Sequence, residues 1–203
     1  QIVEGLIVPH IWIIGGYPGS GKTFFMLQLL ERILKQDAKV IVFSTENSRL
    51  RNILRLIGCS TGIPEMNILK YNLTTEQNEL VKQTENFLNE KCLYVYDDIF
   101  TTDEIRIKTF AHQQKEKIDV IMIDYIQLLN SEEDNYEQMR KVSSELLKMS
   151  KELNCAIVAV SQISNEGQRS SNFFRMSFKG AGEIGAIADV AMELKRSIED
   201  IGT

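Results

Sequence analysis

The chain has 203 residues, with 23 basic and 28 acidic side chains and a formal net charge of −5. This acidic balance excludes a general electrostatic attraction to nucleic acid but is compatible with a local basic loop. Three cysteines without a close pair argue against a disulfide-bonded secreted protein and favour a cytoplasmic location. No apolar run approaches the roughly 18 to 20 residues of a membrane span, so we expect no membrane partner. We predict a single domain over residues 1–203, as part of a longer protein.

Six short apolar runs alternate with helical stretches along the chain. They lie at 10–15, 39–44, 93–97, 120–124, 156–161 and 190–194. Such near-continuous apolar runs are typical of strands that helices cover on both faces. The repeated strand–helix–strand order predicts an α/β fold with a mostly parallel central sheet.

Helices are predicted between these strands. Residues 136–153 carry apolar side chains at helical spacing, including Met139 and Val142. Thr74 is followed by Thr-Glu-Gln and Thr102 by Asp-Glu, and apolar residues come next. We therefore expect a helix to begin at each of these threonines.

The first predicted strand leads directly into a glycine-rich loop. Residues 16–23 fit the phosphate-loop pattern G-x-x-x-x-G-K-[ST] between a strand and a helix, a context that disfavours an ordinary glycine-rich turn. Backbone N–H groups and a helix N-terminus bind phosphates in this pattern, the lysine contacts the β- and γ-phosphates, and the final hydroxyl binds Mg²⁺. The predicted nucleotide-binding residues are Gly16, Tyr17, Pro18, Gly19, Ser20, Gly21, Lys22 and Thr23.

Three other strands end in polar residues that a triphosphate site needs. Asp124 ends an apolar strand, where a carboxylate can hold Mg²⁺ through a water molecule. Tyr125 comes next and supplies no second carboxylate, so Glu46, after the second strand, is the candidate base for the attacking water. Gln162 is the candidate contact to the γ-phosphate. On spacing alone, a solvated helix-start acid and an ordinary loop amide remain the alternatives for Glu46 and Gln162.

These segments resemble the RecA-like ATPases, and most closely the helicase domain of the DnaB-type hexameric replicative helicases. The similarity extends over nearly the whole chain. Ile-Asp124-Tyr-Ile-Gln127 is similar to the Walker B motif of that family, and Phe-Ser-Thr-Glu46-Asn is similar to its segment with the catalytic glutamate. Val-Ser-Gln162 resembles its sensor, and residues 178–189 resemble the glycine-containing block before its next strand.

The resemblance implies a RecA-like P-loop fold and ATP hydrolysis with Mg²⁺. It implies that Glu46 and Lys22 are catalytic residues and that Gln162 senses the γ-phosphate. It further implies assembly into a hexameric ring that moves along single-stranded DNA. Primase or a helicase loader would then be a further partner.

The sequence also departs from this family. Residues 17–20, Tyr-Pro-Gly-Ser, stand where the family usually has Arg-Pro-Ser-Met and look more like the RadA and KaiC branches. Asn47 stands where the family typically has Met. The trans-acting Lys and Arg residues of the family belong to later strands that this sequence does not contain. Lys195 and Arg196 are candidates for a contact in trans, although a surface pair at a strand end is the favoured interpretation.

The segment at 163–179 has a local positive charge. It contains three basic residues and one acid, with aromatic residues between them. Basic and aromatic side chains together hold single strands without sequence preference. We therefore expect Arg169, Arg175 and Lys179 to contact DNA, with a surface segment or a subunit contact as the alternative. The acidic loop at 130–134 is a poor phosphate binder by itself.

The sequence thus predicts an ATP-dependent DNA helicase motor. One alternative is a RadA- or KaiC-like ATPase in recombination or regulated assembly, which the phosphate loop favours. Another is a nucleotide-gated loader or adaptor with little turnover, against which the presence of Glu46 argues. A small-molecule P-loop kinase is least favoured, because no arginine-rich lid is evident.

Overall fold

A six-stranded sheet lies at the centre of the computed structural model, which describes residues 2–3, 5–130, 135–163 and 182–195. Before it comes a short antiparallel hairpin of β1 (Ile2–Val3) and β2 (Leu6–Ile7), which the sequence did not predict. The strands of the central sheet are β3 (Ile11–Gly16), β4 (Val40–Ser44), β5 (Leu93–Tyr96), β6 (Val120–Asp124), β7 (Ala156–Gln162) and β8 (Val190–Leu194). Their order is β5–β4–β6–β7–β3–β8, and all neighbouring pairs are parallel.

All six strands predicted from apolar runs are confirmed, each to within one residue at either end. The apolar pattern is continuous because successive side chains of one strand are buried on opposite faces of the sheet. Ile13 and Ile121 belong to the core on the face that α5 (Thr102–Gln113) and α6 (Asn135–Leu153) cover. Ile14 and Met122 belong to the opposite core, which α1 (Lys22–Leu34) and α2 (Arg49–Thr61) cover.

The remaining helices are α3 (Glu65–Leu69), α4 (Thr75–Asn89) and α7 (Gly182–Ile187), and a short 3₁₀ turn lies at Ile126–Leu128. The helix predicted at 136–153 is confirmed and begins one residue earlier. Within the described ranges, no helix combines the length and apolar character that crossing a bilayer requires.

The helix start predicted at Thr74 is confirmed, whereas the one at Thr102 is displaced by one residue. Thr74 caps α4 in a capping box with Gln77. The cap of α5 is Thr101, whose hydroxyl accepts a hydrogen bond from the Glu104 N–H while the Glu104 carboxylate bonds back to Thr101. Thr102 is instead the first helical residue, and it is buried. Both threonines carry a hydroxyl group just before an acidic first turn, so the sequence alone does not show which of the two is the cap.

Candidate nucleotide-binding site

The four central strands bring their polar ends to one edge of the sheet. The register places Gly16 of β3 beside Gln162 of β7 and Ser44 of β4 beside Asp124 of β6. Because the strands are parallel, the loops that follow them share this edge, where open α/β sheets bind ligands. A cavity of about 860 Å³ opens there. The predicted catalytic and metal-binding residues that line it are Lys22, Thr23, Glu46, Asp124 and Gln162.

The phosphate loop connects β3 to α1. Of its eight predicted nucleotide-binding residues, five line the cavity, namely Pro18, Gly19, Gly21, Lys22 and Thr23. Gly21 has a φ of 90° and occupies the N-cap of α1 without a side chain that could accept from the first helical turn. The N–H donors of that turn therefore suit an external anion, and the residues fit a bound phosphate.

The other three residues of the loop, Gly16, Tyr17 and Ser20, fix its conformation. A Cβ on Gly16 would lie 2.9 Å from the Leu194 carbonyl oxygen, so only glycine fits between β3 and β8. The Ser20 N–H donates to the Tyr17 carbonyl oxygen over 3.1 Å and closes the turn. These contacts therefore set the shape of the loop.

Lys22 is held by its own loop. Its Nζ donates to the carbonyl oxygens of Gly16 and Tyr17, each over 2.8 Å. Burial lowers the pKa of Lys22, and the negative charges of Asp124 and Glu46 oppose part of that shift. The ammonium group is thus held at the phosphate loop by two backbone carbonyls, and its contact to phosphates stays a prediction.

Thr23 and Asp124 are in contact although they lie 101 positions apart in the sequence. The Thr23 hydroxyl donates to Asp124 Oδ2 over 2.8 Å, and Asp124 is only 1% exposed. Burial is the largest cause that raises the pKa of Asp124, and the hydrogen bond from Thr23 opposes it. A hydroxyl and a carboxylate at this spacing suit Mg²⁺. The described residues contain no group of three His, Cys, Asp or Glu side chains that could form a separate metal site.

Glu46 stands on a loop that hydrogen bonds hold to the end of β6. The Thr45 N–H donates to the Asp124 carbonyl oxygen over 2.8 Å, and the Thr45 hydroxyl accepts from the Tyr125 N–H over 3.1 Å. On the other side of Glu46, the Ser44 hydroxyl donates to the Asn47 carbonyl oxygen over 2.8 Å. The Glu46 side chain is exposed and reaches the same cavity as Lys22. Glu46 is thus accessible to a ligand in the cavity.

Gln162 is positioned by Gln127, a residue for which the sequence suggested no role. The Gln127 side chain accepts from the Gln162 N–H over 3.1 Å. Its amide Nε2 donates to the Gln162 carbonyl oxygen over 3.0 Å and to Ser161 Oγ over 2.8 Å. Gln127 thereby links the segment after β6 to the end of β7. Gln127 belongs to the Asp-Tyr-Ile-Gln motif found in the sequence. Its hydrogen-bond partners could not be read from that motif, because they depend on the order of the strands.

Comparison with known proteins agrees with this geometry. Residues 1–200 match the DnaB-like helicase C-terminal domain family. The chain belongs to this family. The replicative DNA helicase DnaB of Helicobacter pylori is 29% identical over 192 residues, which cover 91% of this chain and 39% of that protein. The family and the RecA-like fold predicted from the sequence are confirmed.

Two solved structures show the same fold. An ATPase domain superposes with a TM-score of 0.85 at 23% identity, covering 97% of this chain and 72% of that one. A DnaB-like replicative helicase, solved in a study of its interactions with primase, gives a TM-score of 0.83 at 23% identity over 95% of this chain and 48% of that one. The chain spans less than half the length of the first relatives that it matches.

The cavity of this DnaB-like domain has one wall that sequence reasoning missed. Arg51 and Arg55 of α2 line it together with Glu65 at the start of α3. Nothing in the local pattern distinguished these residues from an ordinary charged helix face. Their convergence depends on the turn between α2 and α3.

Several predicted contacts lie outside the described residues. Arg169, Arg175 and Lys179, the candidate DNA contacts, are among them, as is Arg196. Lys195 is exposed, and its Nζ lies 3.8 Å from Glu193 of the preceding strand. These roles stay predictions.

Proposed function

We propose that this chain is the ATP-hydrolysing motor of a replicative DNA helicase, which translocates along single-stranded DNA as a ring. The observation that carries the proposal is the convergence of Lys22, the Thr23–Asp124 hydrogen bond and Glu46 on one cavity at the carboxyl edge of the sheet. Membership in the DnaB-like family supports the same conclusion.

The residues of the cavity suit the separate steps of ATP hydrolysis. Lys22 and the N–H groups at the start of α1 bind the β- and γ-phosphates. The Thr23 hydroxyl and the Asp124 carboxylate would hold Mg²⁺, with Asp124 acting through a water molecule. When bound, Mg²⁺ offsets the negative charge of these phosphates. Glu46 orients the attacking water and accepts its proton.

Gln162 would report the state of the nucleotide to the rest of the chain. Its side chain reaches the cavity at the end of β7, and the segment at 163–179 follows it directly in sequence. A contact from Gln162 to the γ-phosphate is lost on hydrolysis, so the start of that segment is where a signal would leave the site. Arg169, Arg175 and Lys179 would then contact the DNA backbone.

The proposed partners follow from the same function. A ring motor acts as a homo-oligomer, and we propose a hexamer. Primase or a helicase loader is a further proposed partner, because one structurally similar DnaB-like helicase was studied with primase. The second candidate function is a RadA- or KaiC-like ATPase, which the Tyr-Pro-Gly-Ser sequence of residues 17–20 favours.

The test is the rate of ATP hydrolysis with and without single-stranded DNA. For the helicase function we expect DNA to stimulate the rate. Lys22→Ala should lose both nucleotide binding and turnover, whereas Glu46→Gln should keep binding and lose about 100-fold or more in turnover. Glu76→Gln is the matched control, since Glu76 is an exposed glutamate in the first turn of α4.

Each contrary result has a distinct meaning. Hydrolysis that DNA does not stimulate would favour the RadA- or KaiC-like function. Full turnover in Glu46→Gln would show that another group activates the water. Unchanged nucleotide binding in Lys22→Ala would contradict the assignment of the phosphate site.

A further inference from the structure

Two arginines and one glutamate form a cluster on the cavity wall that α2 and α3 provide. Arg51 and Arg55 stand one helical turn apart on α2, and Glu65 is the first residue of α3. Arg51 Nε donates to Glu65 Oε1 over 3.2 Å, and Arg55 Nε donates to Glu65 Oε2 over 3.1 Å. One carboxylate thus holds both guanidinium groups, one with each of its oxygens.

These contacts use only the Nε atom of each guanidinium group. Within the described part of the chain, the terminal amino groups of Arg51 and Arg55 make no hydrogen bond. The two side chains are 55% and 28% exposed and line the nucleotide cavity. Paired N–H donors in a planar fork are well suited to phosphate oxygens.

The charge of the cavity also requires these arginines. Among the described residues, six charged side chains line it, three cationic (Lys22, Arg51, Arg55) and three anionic (Glu46, Glu65, Asp124). Without the two arginines, Lys22 would be the one cation among these six side chains, beside three carboxyl groups. The two arginines therefore offset part of the negative charge that ATP would bring into the cavity.

We propose that Glu65 is a positioning residue for nucleotide binding, which holds Arg51 and Arg55 so that their terminal amino groups bind phosphate oxygens of the nucleotide. This inference rests on the nucleotide-binding function proposed above. It makes a prediction opposite to that of net charge alone. Removing a carboxylate makes the cavity more positive and should tighten anion binding, whereas the loss of positioning should weaken it.

The experiment measures the dissociation constant of the purified protein for Mg²⁺–ATPγS by isothermal titration calorimetry. We expect Glu65→Ala and Arg55→Ala each to weaken binding about tenfold, the usual scale for a charge-assisted hydrogen bond. The double variant should be scarcely weaker than either single variant, because both act through one unit. Glu65→Gln keeps an acceptor oxygen and should lie between Glu65→Ala and wild type. Glu76→Ala is the matched control and should bind as wild type does.

Steady-state kinetics separate a positioning role of Glu65 from general damage to the active site. KM for ATP should rise in Glu65→Ala while kcat at saturating ATP stays unchanged, because Glu46 and Asp124 are untouched. If Glu65→Ala does not fold, as its melting curve would show, Glu65→Gln carries the same test.

The inference is overturned if Glu65→Ala binds Mg²⁺–ATPγS as tightly as wild type or more tightly, or if the two single effects add. It is also overturned if the variant loses affinity only for a labelled oligothymidylate, which would assign the arginines to a nucleic-acid backbone. Absence of nucleotide binding in wild type and Lys22→Ala alike would overturn the proposed function and this inference with it.

Discussion

Replacing Gln127 with alanine should both destabilise the fold and slow catalysis. Among the residues that the structure describes, the side chain makes three hydrogen bonds, over 2.8 Å to Ser161 Oγ and over 3.0 and 3.1 Å to the backbone of Gln162. Each hydrogen bond contributes about 1 kcal/mol net, so the three together contribute about 3 kcal/mol to the free energy of unfolding. Ser161 is fully buried, so water cannot readily replace the lost partner.

The assay is thermal and urea-induced unfolding beside the rate of ATP hydrolysis. For a chain of this size, a loss of about 3 kcal/mol lowers Tm by roughly 6 to 12 °C. Below that transition, kcat per folded molecule should fall as far as it does in Gln162→Ala, because Gln162 loses its anchor. Gln83→Ala is the control, since Gln83 is an exposed glutamine on α4 that bonds only to Glu79 in the described part of the chain.

Two results would refute this reasoning. If the free energy of unfolding of Gln127→Ala stays within about 0.5 kcal/mol of wild type, the hydrogen bonds do not stabilise the junction of β6 and β7. If the protein is destabilised but kcat is unchanged, the position of Gln162 does not matter for turnover.

Three further substitutions test other parts of the fold. Gly16→Ala should cost about 1 to 3 kcal/mol in the free energy of unfolding and weaken nucleotide binding, because its methyl group meets the Leu194 carbonyl; urea denaturation and calorimetry check both. Asp124→Asn should raise Tm at neutral pH while abolishing hydrolysis. Burial raises the pKa of Asp124 above its ordinary 3.8, so the folded state favours the protonated carboxyl group. This contribution to stability is fully present below the ordinary pKa and is lost as pH rises through the raised pKa. The difference in Tm should therefore vanish at about pH 4 and below, and an equal Tm at neutral pH would contradict the argument. Thr101→Ala should cost about 1 kcal/mol by loss of the α5 cap, which urea denaturation measures.

The sheet and the core of the site followed from the sequence because their signals are local. Apolar runs located the strands, since burial on both faces leaves no polar positions within them. Parallel topology then placed the residues at or after the carboxyl ends of β3, β4, β6 and β7 at one edge, so Lys22, Glu46, Asp124 and Gln162 could be grouped without coordinates. The direct hydrogen bond between Thr23 and Asp124 is the structural counterpart of that inference.

The rest could not be predicted because it depends on contacts between distant segments. Glu65 meets Arg51 and Arg55 only through the turn at Gly62, which has a φ of 73° and ends α2. Gln127 reaches Gln162 because β6 and β7 are neighbours in the sheet. The sequence of a single strand does not determine which strands lie beside it. Spacing in the chain carries no direct record of either pairing.

The two hydrogen bonds from Lys22 to its own loop decide whether its side chain loses conformational entropy during folding or during ligand binding. A free lysine side chain has about 2 kcal/mol of rotamer entropy, and a binding site usually loses it when the ligand arrives. Here the ammonium group is already held by Gly16 and Tyr17, each over 2.8 Å, so that entropy is lost during folding. The ligand therefore encounters an ammonium group that is already ordered and has one N–H donor that neither carbonyl uses. The ordering cost is therefore part of the free energy of folding, and a phosphate that binds the folded chain raises the free energy of unfolding further.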